Sequence, residues 1–336
     1  MSHYIYCRCD LPAVVPKEHV IPQLYGKFTP DLTLRCVCKE CNHFFGSKLE
    51  WPMMRQSVEG MRRLQFGFKG QVGGIKTKGI EPVIGAGYIC SGARVAIRSD
   101  DQGNKFTIIL PQVGARRTKD EPFEWCIEQD LRPDWAAKFP KNTEFHVIGG
   151  ENDADSQRLM KKWMSVCPTF KYAGQIEKPF KDDEKILIHA EHVTTPTTVR
   201  CLCKIAFNYL ALIKSPDFAL LPSFDSIRAF VRYDLGGAED RAYIKRNWII
   251  AQELIRDERW TDGHVLTIEG RPKDGVVFAQ VALFNSIPYQ IPLCRDYTGE
   301  WFAKGYHFNI DNRKVSELQV QIVEEGFDPS SVLGGP

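Results

Sequence analysis

The chain has 336 residues, 43% of them apolar and 26% charged, a composition that supports an ordinary globular core and excludes a disordered chain. Its 44 Lys and Arg stand against 42 Asp and Glu, a net charge of +2, so no whole-molecule field marks a nucleic-acid or membrane binder and any basic footprint must be local. No apolar stretch approaches the ~20 residues of a membrane helix, and the start Met1-Ser-His-Tyr-Ile-Tyr-Cys7 lacks the basic and apolar regions of a secretory signal. The expectation is a cytoplasmic protein with no membrane partner.

Residues 1–70 carry ten Lys and Arg against six Asp and Glu, and they hold five of the eleven cysteines: Cys7, Cys9, Cys36, Cys38 and Cys41. Eleven is too dilute and too odd a count for a disulfide scaffold, and clustered thiols in such a chain are more often metal ligands than bridges. Cys38-x-x-Cys41 is a two-residue knuckle able to present both thiolates to one zinc ion, with Cys7 and Cys9 supplying the other pair. The 29 residues from Cys9 to Cys38 leave space for a hairpin. Within it, Glu18-His19 lies on a β-branched strand closed by Pro22, and adjacent strand residues point to opposite faces. One of the two can bind a metal while the other faces a substrate. Asn42 and His43 follow the knuckle and begin a helix. The pattern predicts a hairpin and a helix stapled by metal, with an acid, an imidazole and an amide converging on a cleft.

Gly67, Gly70, Gly73 and Gly74 interrupt any periodicity, which places a boundary near residue 70. Beyond it, Arg94–Ser99 and Lys105–Leu110 alternate around Asp100-Asp-Gln-Gly-Asn104 as a β-hairpin. Glu144–Ile148 reads as a strand, and Ser156–Val166 as a helix. Thr195-Pro196 caps a helix whose Val199, Leu202, Cys203, Ala206, Tyr209, Leu210 and Ile213 recur at core-facing spacing. Ser223 caps a short helix through Val231, and Asp240 a longer one through Arg256. Val265–Ile268 and Val276–Phe284 read as paired strands. His189 and His192 alternate on a strand and so face opposite ways, which argues against a metal pair. The domain reading is a module over 1–70, a larger mixed α/β region over 71–325 and a loose tail over 326–336. The fold class is α+β: an N-terminal ββα module followed by a mixed region with antiparallel strands.

The cysteine pairs, Glu18-His-Val-Ile-Pro22 and Val37-Cys-Lys-Glu-Cys-Asn42, followed by Phe45-Gly46, resemble the HNH endonucleases of the ββα-metal class, in the branch with zinc-knuckle thiols. The resemblance covers residues 4 to about 67. It implies a metal-dependent endonuclease that hydrolyses phosphodiester bonds in DNA, in a restriction or anti-phage setting. His19 matches the general base that deprotonates the attacking water, and Glu18, Asn42 and His43 match positions that hold a catalytic Mg²⁺ or Mn²⁺. The middle Asn of the family has no clear counterpart; Asp31 is nearest. Cys-x-Cys at the front is tighter than the usual pair, so Cys36 stands as an alternative to Cys7 or Cys9 at the zinc. Arg55, Arg62 and Arg63 lie on the helix beyond the knuckle, placed to grip flanking phosphates. The large region is expected to set target choice, through an activator ligand, a partner protein or homo-oligomerisation. The competing reading is a nucleic-acid-binding protein whose HNH centre has decayed.

Overall fold

A computed structural model of the chain describes residues 3–10, 15–66, 68, 83–86, 88, 90–99, 105–118, 120–148, 153–176, 188–189, 194–236, 245–246, 263–284 and 287–318. The chain forms two compact units, the first made of Met1–Thr77 with Val193–Pro336 and the second of Lys78–His192.

The first unit opens with β1 (Glu18–His19), which pairs antiparallel with β2 (Thr33–Leu34), Glu18 opposite Leu34 and His19 opposite Thr33. Pro22 sends the connection into a 3-10 turn over Gln23–Tyr25, closed by Gly26. Gly26 has φ +137°, and a Cβ there would stand 2.7 Å from the Phe28 ring, so both backbone and space select glycine. Helix α1 (Lys39–Phe44) starts at Cys38, whose Sγ accepts the Cys41 N–H at 3.2 Å. It runs through a π-helical segment, Phe45–Glu50, into α2 (Trp51–Gln56). Ser57 turns the chain out of the helix, and its Oγ accepts the Gly60 N–H at 3.1 Å to cap α3 (Val58–Gln65).

The second unit contains β3 (Val83–Ile84), β4 (Val95–Ser99), β5 (Lys105–Ile109), β6 (Gln112–Ala115), β7 (Glu124–Ile127), α4 (Pro133–Ala136), β8 (Glu144–Ile148), α5 (Asp153–Val166), β9 (Lys171–Ile176) and β10 (Ile188–His189). The predicted hairpin is present as β4–β5, Val95 opposite Ile109. A four-stranded sheet runs β7-β6-β8-β9. Its β8–β9 pair is parallel, which requires a crossover, and α5 supplies it. That helix starts three residues before the predicted Ser156. Trp163, Phe145, Leu159 and Val113 fill the core of this unit.

The chain then resumes the first unit with α6 (Pro196–Ile213), α7 (Pro216–Ala219), α8 (Asp225–Tyr233) and the strands β11 (Lys245–Arg246), β12 (Gly263–Arg271), β13 (Val276–Leu283), β14 (Ile287–Cys294), β15 (Phe302–Asn309) and β16 (Val315–Leu318). The Thr195 cap is made, its Oγ1 accepting the Thr198 N–H at 3.2 Å. The strands form one antiparallel sheet in the order β11-β14-β13-β12-β15-β16. Every residue from Cys201 to Ala211 of α6 is buried, Cys201 and Cys203 among them. A helix apolar on every side must be covered on every side. The sheet covers part of it, α7 and α8 another part, and the N-terminal hairpin and helices the rest: Tyr6, Val20, Phe45 and Met53 share one core with Phe207, Leu210, Phe230, Leu266 and Val281.

The mixed α+β architecture with antiparallel sheets agrees with the sequence reading, but the division into domains differs. Residues 71–325 are not one body, because the part after Val193 joins the N-terminal segment in the first unit. Local periodicity registers that α6 is apolar, but not which distant segment closes over it. The helix read over Asp240–Arg256 is corrected at Lys245–Arg246, which pair with β14 as a strand; the remainder of that stretch, the glycine-rich boundary from 69 to 82 and the tail over 326–336 lie outside the described residues. No described helix is long and apolar enough to cross a membrane.

Candidate functional site

Three thiols of the first unit converge. The Sγ atoms of Cys7, Cys38 and Cys41 lie within 4.8 Å of one another, a group able to hold a metal ion. Cys38 and Cys41 come from the start of α1, and Cys7 from the turn at Tyr6–Arg8, where Arg8 takes φ +58°. Cys9 is exposed and outside this group of three, but its thiol donates to the Cys7 carbonyl at 3.7 Å and lies within reach of the Cys7 thiol. Cys36 is not in this group; it is buried in the shared core, where desolvation pushes its thiol up to about 12. Burial likewise pushes Cys7 up to about 11 and Cys41 to about 12; bare thiolates are disfavoured there, and a cation would be needed to hold them. Arg232 of α8 stacks over Phe44 at 4.4 Å and donates its Nε–H to Cys41 Sγ at 3.3 Å.

On the other side of the hairpin lies a cleft of about 490 Å³ lined by Glu18, His19, Pro22, Gln23, Leu24, Lys27, Asn42, Glu50, Arg63 and Phe68. His19 stands at its edge. Its Nδ1–H donates to Asp31 Oδ1 at 2.9 Å, and its Nε2 accepts from the Gln23 side-chain amide at 2.8 Å. Both ring nitrogens of His19 are thus engaged, one by a carboxylate and one by an amide. Asn42 sits between the hairpin and α1, donating from Nδ2 to the Lys17 carbonyl at 3.3 Å.

Glu18 points the opposite way, into the protein, as strand alternation requires. It is 4% exposed, and its Oε1 accepts from Lys204 Nζ and, at 3.2 Å, from Asn208 Nδ2. The same ammonium pairs with Glu50 at 2.7 Å. Lys204 is fully buried. Burial alone would lower its pKa, but Glu18 and Glu50 together raise it above the ordinary lysine value, so it stays protonated. Burial raises Glu18 above the carboxylate range, against the pull of Lys204. Asn208 is held in turn by Tyr6, whose hydroxyl donates to Asn208 Oδ1 at 2.8 Å. Lys204, Asn208, Glu50 and Gln23 were not singled out from sequence. The available signal was Lys204 and Asn208 at i, i+4 on an otherwise apolar helix, one stripe of polarity with no solvent to explain it.

Of the three arginines proposed for phosphate, only Arg63 lines the cleft. It is 1% exposed, its Nε–H donates to the Leu24 carbonyl at 2.5 Å, and its Nη1 has no partner. Arg55 stacks on Trp51 at 5.9 Å and Arg62 on Phe66 at 5.4 Å, neither lining the cleft.

The residues fit the two implied metals unequally. The three thiols suit zinc in donor type. The set Glu18, Asn42 and His43 does not suit Mg²⁺: the Glu18 oxygen is committed to an ammonium and an amide, and His43 is exposed on α1 and does not line the cleft. No family model matches this chain, and no curated protein or solved structure does so either.

Proposed function

We propose that the first unit is an endonuclease that hydrolyses phosphodiester bonds in DNA, with His19 as general base and the thiol cluster as a structural zinc site. The observation that carries this reading is the His19 imidazole lining the cleft, its Nδ1 tied to Asp31 and its Nε2 to the Gln23 amide, which an attacking water would displace, with the Arg63 guanidinium buried in the same lining. A base needs its lone pair fixed toward the substrate, and the Asp31 carboxylate supplies both the tautomer and compensation for the imidazolium that forms. In the reaction a water gives its proton to Nε2 while its oxygen bonds to phosphorus. The P–O bond to one sugar breaks, and the departing alkoxide takes a proton from solvent, leaving a phosphomonoester and a hydroxyl. Lys27 is the cleft cation available to the phosphate oxygens, while Arg63, which lines the same cleft, is buried.

Zinc, held by Cys7, Cys38 and Cys41 with Cys9 beside Cys7 as the fourth thiol, would contribute structure and no chemistry. It would anchor the start of α1 to the N-terminal turn, with Arg232 supporting Cys41 from α8. A restriction or defence setting, and a role for the second unit in choosing targets, follow from the resemblance and belong to this proposal.

A second reading, a DNA-binding protein that does not cut, is favoured by one observation: Lys204 sits where a nuclease of this class would carry a metal against Glu18. Supercoiled plasmid separates the two. The wild type is expected to nick it, and His19→Ala to lose ~10²–10⁴ of the rate while keeping DNA binding and zinc content. Equal nicking by His19→Ala would refute the base assignment. Binding without any nicking would select the second reading.

A further inference from the structure

We propose that Lys204 takes the place a divalent ion would hold beside Glu18, so that the carboxylates of Glu18 and Glu50 are answered by an ammonium of the chain and hold no catalytic Mg²⁺ or Mn²⁺. The proposal rests on the nuclease reading for the word catalytic, but not for the occupant of the carboxylates.

Three features of the cleft lead there. The first is occupancy. Glu18 Oε1 already accepts two hydrogen bonds, from Lys204 Nζ and Asn208 Nδ2, and Glu50 closes on the same ammonium at 2.7 Å. A divalent ion at Glu18 would compete with that ammonium for the same oxygen and repel it at a few ångströms, in a place where water screens little. The second is confinement. Lys204 is fully buried in the stretch of α6 from Cys201 to Ala211 that is buried throughout, and its neighbour Asn208 is locked by Tyr6. A lysine on a surface could swing aside for a metal; this one would have to leave an unpaired ammonium in the core, a costly state. The third is charge balance. Glu18, Glu50 and Asp31 are matched by Lys204, Lys27 and Arg63 in and around the cleft. Neutrality at the site needs no added cation. Glu18 then acts as a positioning residue. It ties β1, and so His19 beside it, to α6.

The test is Mn²⁺ titration of the full-length, zinc-replete protein, followed by electron paramagnetic resonance. Wild type and Glu18→Gln are expected to bind the same number of Mn²⁺ ions, Lys204→Arg likewise. Lys204→Met leaves Glu18 and Glu50 facing each other without a cation and is expected to gain a Mn²⁺ ion that the Glu18→Gln, Lys204→Met double variant lacks. Circular dichroism establishes whether the Lys204→Met chain folds; if it does not, the comparison of wild type with Glu18→Gln decides alone. A wild-type Mn²⁺ ion lost in Glu18→Gln overturns the proposal. So does plasmid nicking that stops in metal-depleted buffer and returns with Mg²⁺. A wild type that never nicks plasmid sinks the nuclease reading, while the Mn²⁺ count still judges Lys204.

Discussion

Two places in the first unit invite a metal ion, and they answer differently. The thiol cluster brings Cys7, Cys38 and Cys41 together with no ammonium among them, its nearest cation being an Arg232 N–H on a single sulfur. The acidic cleft brings Glu18 and Glu50 together around an ammonium already in place. Ligand-type residues at ligand-type spacing thus do not suffice to identify a metal site. What decides is whether the rest of the chain has already provided the positive charge. At the thiols it has not, so folding and metal binding should be linked. At the carboxylates it has, through a residue 186 positions further along the chain than Glu18.

The largest expected effect lies on the thiol side of this comparison. Cys38→Ser with Cys41→Ser should remove a metal whose binding is worth ~10 kcal/mol or more in small structural zinc sites. About one zinc per chain should fall to none, with loss of cooperative unfolding, as read by metal analysis and thermal melts. Unchanged zinc and melting would show that the three thiols are merely buried neighbours. On the cleft side, Asp31→Asn keeps a hydrogen-bonding group beside His19 but removes the carboxylate that selects the Nδ1–H tautomer. Nicking should slow by ~10²–10⁴ with DNA affinity retained, and a rate within twofold of wild type would detach Asp31 from the base.

A smaller effect concerns how the hairpin is held against the sheet. His264 is fully buried and neutral: its Nε2–H donates to the Tyr25 carbonyl at 3.0 Å, and its Nδ1 accepts the Phe284 N–H at 2.9 Å. Burial depresses His264 to about 3 and His307 to about 4. The unfolded chain takes up protons at these imidazoles near the usual ~6.5, so below that pH it binds more protons than the folded chain. Their contribution is complete above ~6.5 and declines as pH falls toward about 4 and then about 3. The slope should approach ~1.4 kcal/mol per pH unit for each histidine. Urea midpoints measured between those limits should fall more gently for His264→Gln than for wild type; parallel curves would contradict the assignment.

How much of this was legible in the sequence follows the reach of each interaction. Cys38-x-x-Cys41 is local, and its convergence at the start of α1 follows from helix capping geometry. The opposed faces of Glu18 and His19 follow from strand alternation, although which face meets a cation and which meets the cleft does not. Asp31 is the acid nearest the place of the missing middle Asn, and it sits on His19 because β1 and β2 pair. Cys-x-Cys reads as a ligand pair, and Cys9 lies within reach of the Cys7 thiol but outside the group of three that converges. Lys204 and Asn208 were passed over inside an apolar helix, since nothing in their neighbourhood of sequence names Glu18 or Tyr6 as partners. A break does fall near residue 70, after Thr77, but the return of the chain to the first unit at Val193 was hidden for the same reason: the core joining Tyr6 and Phe45 to Phe207 is assembled from segments far apart in the chain.

The joining of residue 18 to residue 204 is therefore the claim on which the cleft stands, and a double-mutant cycle measures it directly. Glu18→Gln, Lys204→Met and their combination would be compared by urea unfolding of the full chain. Lys204→Met alone should cost ~3–5 kcal/mol, because it strands two buried carboxylates. Restoring charge balance with Glu18→Gln should recover part of that loss, giving a coupling of ~1–3 kcal/mol. Costs that simply add, with no coupling beyond error, would mean that the ammonium does not hold Glu18 and that the carboxylate is free for a metal after all.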